Sequence, residues 1–173
     1  MSKQPSMISV DELLAYSLAI EQEAAERYAE LADQMEVHNN HEVAELFHKL
    51  AAIEGKHIAN VEALGEGRTL PPISIWELPW DDAESPEALA HDDVHYLMTP
   101  YHALSIALMG ERHAVAFFSR MAKDAEDEEV RQMASRLRDE EQEHVALMEE
   151  WLERYPKPEN GWDDDPDPPA AHE

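Results

Sequence analysis

The 173-residue chain contains no cysteine. That excludes disulfides, thiol nucleophiles and any cysteine-ligated zinc or iron centre within it. Glycine is scarce, at five residues, so few positions carry the backbone freedom that weakens helix. Basic residues are also few, 13 against 39 acidic, for a formal net charge of −26. A chain so short of cations repels phosphate backbones and anionic membrane surfaces, so neither nucleic acid nor membrane is an expected partner. No apolar run approaches the ~20 residues of a membrane span, and the opening MSKQPSMISVDE has no signal-peptide core. The expected setting is cytoplasmic.

Helical periodicity is what the sequence has in abundance. Ser9, followed three residues later by Glu12, reads as a capping box that opens a first helix. Within it Leu14, Leu18, Glu21, Ala25, Tyr28, Ala32 and Met35 step by alternating fours and threes, the seam of a bundled helix. The element is expected to end near His38-Asn39-Asn40, with Asn40 capping the next. A second seam runs Val43, Phe47, Leu50, Glu54, His57, Val61 and Leu64 before Gly65 and Gly67. From about 65 to 98, four prolines forbid a long helix and suit a crossover, with Trp76 and Trp80 as apolar anchors for the bundle or a second subunit. Thr99 and Pro100 restart helix. A third seam holds Leu104, Leu108, Glu111, Val115, Phe118, Ala122 and Ala125. After a turn at Glu126 to Glu128, the fourth holds Val130, Ala134, Leu137, Glu141, His144, Met148 and Trp151.

These patterns predict an all-α chain. Its expected form is a four-helix bundle over residues 1–155, made of two duplicated antiparallel helical hairpins joined by the long crossover. Residues 156–173, with five prolines and six acidic side chains, are expected to form a disordered tail. The halves resemble each other. Glu21 and Glu111 lie 90 residues apart, and Glu54-x-x-His57 and Glu141-x-x-His144 lie 87 apart. With the second offset, Glu42, Val43, Leu50, Ala59 and Glu62 also fall on identical residues.

Each seam is interrupted by a glutamate. A carboxylate buried without compensation costs several kcal/mol, so four converging ones are untenable in an apolar bundle. Metal removes the difficulty: two divalent cations neutralise four carboxylates, with two neutral imidazoles completing the set. One Glu from each of two helices and Glu-x-x-His from each of the others form the dinuclear carboxylate arrangement. By spacing, Glu54 with His57 serves one ion and Glu141 with His144 the other. Oxygen-rich ligation with imidazole suits iron or manganese, with zinc a permitted rival.

The segments EQEAAERY, IEGKH, MGERHAVAFF and DEEQEHVALMEEW resemble the ferritin-like diiron superfamily, in particular its rubrerythrin-like branch. The resemblance spans about residues 9–154. It implies a ferritin-like bundle holding two iron ions on Glu21, Glu54, His57, Glu111, Glu141 and His144, with Glu54 and Glu141 as bridges. It also implies that the Tyr28 hydroxyl bonds a ligand glutamate; the corresponding residue after Glu111 is Phe118. Two departures stand out. The cysteine-ligated rubredoxin domain of rubrerythrins proper has no counterpart in a chain without cysteine, and the extra glutamate one turn beyond the third-helix ligand is replaced by Ala114.

The expected function is redox chemistry of ferroxidase or peroxidase type. Oxygen or hydrogen peroxide is the small substrate, and the electron donor is unspecified. Iron storage without turnover and a structural metal-holding bundle are the alternatives. A homo-oligomer, a dimer in the enzymatic reading, is expected; a ~24-subunit cage would mark storage. A hydroxylase acting on RNA is disfavoured by the charge. Gly55 and Gly110, beside Glu54 and Glu111, read either as room left for a small oxidant or as glycines tolerated on an exposed face. The remaining histidines, His38, His41, His48, His91, His95, His102, His113 and His172, read as solvated or capping residues, with an iron entry point as the alternative for some of them.

Overall fold

The computed structural model describes residues 5–74 and 98–158. After a single 3-10 turn at Pro5–Met7, four helices follow: α1 (Val10–Val37), α2 (His41–Leu64), α3 (Pro100–Asp124) and α4 (Glu128–Glu153). No strand occurs among the described residues. Helices α1 and α2 pack along their lengths as one hairpin, and α3 and α4 as the other, giving an all-α four-helix bundle. The outer part of the crossover and the tail beyond Pro158 lie outside the described residues, as do Trp76, Trp80, His91, His95 and His172.

Local chemistry sets the helix ends. Ser9 and Glu12 form the capping box: Ser9 Oγ accepts from the Glu12 N–H at 3.1 Å, and the Ser9 N–H donates to Glu12 Oε1 at 3.4 Å. Helix α1 gives way at Asn39, whose φ of 59° lies in the left-handed region that asparagine tolerates. Asn40 then caps α2, its Oδ1 accepting from the Val43 N–H. Its Nδ2 also donates to the Met98 carbonyl at 2.7 Å, fastening the first turn to the approach of α3. Helix α2 ends at Gly65, and Gly67 takes a φ of +80° that a side chain would resist. Ahead of α3, His102 Nδ1 accepts from the Thr99 N–H at 3.0 Å, so His102 is a capping residue. At the opposite end, Arg68 joins Asp11 of α1 at 2.9 Å and Glu129 of α4 at 3.2 Å. Arg131 donates to the carbonyls of Ala125 and Glu126, holding the α3–α4 turn.

The buried stripe is wider than a single seam. Leu18, Ala25, Val115, Ala122 and Trp151, seam positions by sequence, are only half-buried. Leu13, Tyr16, Ile20, Leu31, Ala107, Phe117 and Met121 are buried instead or as well. Each helix of a four-helix bundle meets more than one neighbour, so its apolar face spans over 100° rather than the narrow line of a two-stranded coil. The core falls into two clusters. One, around Leu14, Phe117, Phe118 and Leu137, lies toward the start of α1. The other, around Phe47, Leu50, Leu104 and Met148, lies toward the α1–α2 turn.

Candidate metal centre

Between these clusters lies a polar layer. Glu21, Glu54, Glu111, Glu141 and His57 are all buried, at 2, 1, 5, 3 and 7 % exposure, while His144 is slightly more open. Helix length brings them to one level. Glu21 stands about 24 Å before the end of α1 and Glu54 about 20 Å into α2, at ~1.5 Å of rise per residue. Glu111 and Glu141 each stand about 20 Å from the α3–α4 turn by the same measure. The turns at Asn39-Asn40 and at Ala125–Asp127 therefore act as rulers.

The six side chains converge on three overlapping triads: Glu21, Glu54 and His57; Glu54, Glu111 and His144; and His57, Glu141 and His144. In each, one donor atom per residue lies within 4.8 Å of the others. His57 Nδ1 is 3.4 Å from Glu21 Oε2 and 3.4 Å from Glu141 Oε1, and His144 Nδ1 is 3.9 Å from Glu111 Oε1. The imidazoles stack, their centroids 3.7 Å apart at 22°. Both rings thus turn Nδ1 toward carboxylates. The sequence pairs each histidine with the glutamate three residues before it, but the nearest carboxylates to His57 Nδ1 come from α1 and α4. Glu54 takes part in two triads, and Glu141 shares one with both histidines.

Without a cation, protons carry the positive charge of this layer. Burial, reinforced by the charge of Glu141, raises the Glu21 carboxyl well above the usual range. Burial, a hydrogen bond with Glu141 and the charge of Glu54 do the same for Glu111. Burial also works to raise Glu141, but hydrogen bonds from Glu21, His57 and Glu111 prevail and hold it down at about 2. Burial disfavours the His57 cation, yet its hydrogen bond to Glu141 and that group's charge raise it overall. His144 is lowered by burial and by the charge of His57. Glu141 is thus the one carboxylate that gathers donors from three neighbours.

Four buried polar atoms of the layer find no partner: both oxygens of Glu54, Glu141 Oε2 and His144 Nδ1. Buried acceptors are rarely left so, and each unmade bond costs stability. They are lone-pair donors on two carboxylates and an imidazole, the set that binds divalent first-row metals. The residues present therefore fit a metal centre.

The other sequence-derived candidates divide. Tyr28 is buried and stacks on Phe47 at 6.1 Å. Its hydroxyl is raised well above the phenol range by burial, then by the charges of Glu111 and Glu54, so it lies near the carboxylate layer. Ala114 packs into the apolar cluster around Phe117. Gly55 takes the exposed-face reading over that of space for an oxidant: it is exposed, and a Cβ there would meet nothing within 4 Å. The space it leaves is solvent, because residue 55 follows Glu54 by about 100° around the helix and turns outward. His41 pairs with Glu36 at 2.8 Å on the surface. His113 departs from the solvated reading; it is half-buried, with Nδ1 out of contact with any partner. One polar residue of the interior has no place in the seam at all. Ser17, one turn before Glu21, is 1 % exposed and its Oγ has no partner. A serine next to Tyr16 within the otherwise apolar run LLAYSLAI is the signal that could have revealed it.

The fold and this layer define a ferritin-like bundle with a buried carboxylate–histidine cluster. The rubrerythrin family model matches residues 12–152, and the chain belongs to that family. A crystal structure of an uncharacterised conserved protein from Magnetospirillum magnetotacticum MS-1, at 2.00 Å resolution, is similar to it. The two share 37% identity over 88% of this chain and 99% of that one, with a TM-score of 0.66. No curated protein matches the sequence.

Proposed function

We propose that the protein is a dinuclear iron carboxylate oxidoreductase that binds two ferrous ions and reacts with oxygen or hydrogen peroxide. The observation that carries this reading is the set of orphaned Glu54, Glu141 and His144 atoms inside a six-residue cluster. Glu21, Glu54 and His57 would hold one ion, and Glu54, Glu111 and His144 the other. Glu54, common to both triads, and Glu141, beside both histidines, are the bridging candidates. Four carboxylates against two divalent cations leave the filled layer neutral, which lifts the burial penalty that six charged or polar groups otherwise impose. When bound, such a metal pair supplies electrons to a small oxidant at a site shielded from bulk water.

The residues supply the rest. The apolar clusters on either side keep solvent from the layer, and the helices bring the ligand atoms of each triad within 4.8 Å of one another. The Glu21 and Glu111 carboxyls hold protons that they must surrender on loading, so uptake is coupled to proton release. Membership of the rubrerythrin family supports the reading, because the cluster uses the family's ligand types. The test is anaerobic titration with Fe(II), followed by oxidant. Two irons per chain and growth of ferric absorption in the near-ultraviolet are expected. Failure to bind two irons, or bound Fe(II) that stays ferrous under both oxygen and peroxide, refutes the proposal.

A further inference from the structure

Neither the apolar clusters nor the six-residue layer accounts for Ser17. Its neighbours Leu13, Leu14, Tyr16 and Ile20 all join the apolar cluster at the start of α1, while its own Oγ is buried and unpartnered. Alanine would fill the place without an unmade hydrogen bond. The position nevertheless has geometric meaning. Ser17 precedes Glu21 by four residues, so the two share a face of α1. Helical side chains lean toward the N-terminus, so the Glu21 carboxylate reaches back over the turn that carries Ser17.

The other hairpin has no equivalent. Four residues before Glu111 stands Ala107, also 1 % exposed. Seven residues after the glutamates the contrast repeats, with Tyr28 on α1 and Phe118 on α3. One turn before its glutamate, helix α1 therefore offers a buried hydroxyl where α3 offers a methyl, while the Tyr28 hydroxyl feels Glu111 and Glu54 more than Glu21. Otherwise matched carboxylates sit in unlike surroundings.

We propose that Ser17 is a positioning residue. Its Oγ–H donates to the Glu21 carboxylate once that carboxylate holds a divalent cation, and this makes the Glu21–Glu54–His57 position the tighter of the two. The inference rests on the metal-binding reading above. A carboxylate that directs one oxygen at a cation keeps the other free to accept a hydrogen bond, which fixes the ligand's rotamer and favours its charged form. Losing such a donor typically costs 10–100-fold in metal affinity.

Calorimetric titration of the chelator-treated full chain with Mn(II) tests this, using wild type, Ser17→Ala, Ser17→Thr and Ala107→Ser. Melting temperatures of the metal-free forms are measured in parallel. Wild type is expected to bind in two resolved steps. Ser17→Ala is expected to weaken the tighter step by about tenfold or more, leave the weaker one in place, and melt without metal at or above wild type. Ser17→Thr is expected to restore the tighter step, and Ala107→Ser to tighten the weaker one. The proposal is overturned if Ser17→Ala leaves both steps unchanged. It is equally overturned if wild type shows one unresolved step, or if both steps weaken together with a lower metal-free melting temperature. Absence of Mn(II) and Fe(II) uptake by wild type would bring down the metal reading itself, whereas uptake with unaltered steps brings down Ser17 alone.

Discussion

Replacing Glu54 with glutamine sets two effects of opposite sign against each other. Both Glu54 oxygens are buried without partners, and the residue belongs to triads whose donor atoms lie within 4.8 Å. In the metal-free protein the glutamine amide replaces an unpartnered oxygen with a donor in a layer rich in acceptors. A gain of about 1–3 kcal/mol follows, the usual cost of an unsatisfied buried polar group. At roughly 2–4 °C per kcal/mol for a chain of this size, metal-free Glu54→Gln should melt about 2–12 °C above metal-free wild type. Metal reverses the order. A site at about 100-fold over its dissociation constant stabilises wild type by ~2.7 kcal/mol, or roughly 5–11 °C. The variant lacks the carboxylate common to both triads and should lose most of that rise. Calorimetric melting with and without Mn(II), after chelation, reads both signs. A metal-free variant that melts below wild type, with equal metal-induced shifts in the two proteins, refutes the reasoning.

The remaining predictions concern protons and the Tyr28 hydroxyl. The Glu21 and Glu111 carboxyls are raised above their unfolded value of 4.5. The metal-free folded state therefore binds more protons than the unfolded chain from about that pH upward, and stability falls as pH rises through this window. His57, raised from 6.5, adds to the fall above neutrality, while His144, lowered from 6.5, opposes it only below that value. Melting of the metal-free protein should decline from pH 5 to pH 8, and metal loading should flatten the slope; a metal-free slope of opposite sign contradicts the protonated layer. Tyr28→Phe preserves the stack on Phe47 and removes the hydroxyl, so the metal-free fold should persist while metal affinity drops about tenfold or more. Unchanged affinity by titration would confine Tyr28 to packing.

Much of the architecture is legible locally. The Ser9–Glu12 box, Asn40 and the Thr99-Pro100 start act within a few residues of chain, and the helices begin where those signals stand. Glutamates on apolar seams are legible for a similar reason: a carboxylate repeated at core register in four segments conflicts with burial unless something compensates. The seam itself proves too narrow. Leu18 and Val115 fit the period yet lie half-buried, because the angle at which whole helices meet decides which side of each stripe is covered. Gly55 reads as special beside a ligand candidate but merely faces water. Ser17 escapes periodicity because a hydroxyl is conspicuous only once its surroundings prove dry.

Four helices, their ends, and four glutamates and two histidines at inward-facing positions follow from contiguous residues, in which periodicity and capping are written. Which groups meet depends on how the helices pack. The approach of His57 to Glu21 and Glu141, the sharing of Glu54 between two triads, and the hydrogen bonds that Glu141 accepts from three neighbours all join residues of different helices. Spacing along one helix places a side chain on a face, but distance, burial and local charge arise between helices. Those quantities turn six separate residues into one centre.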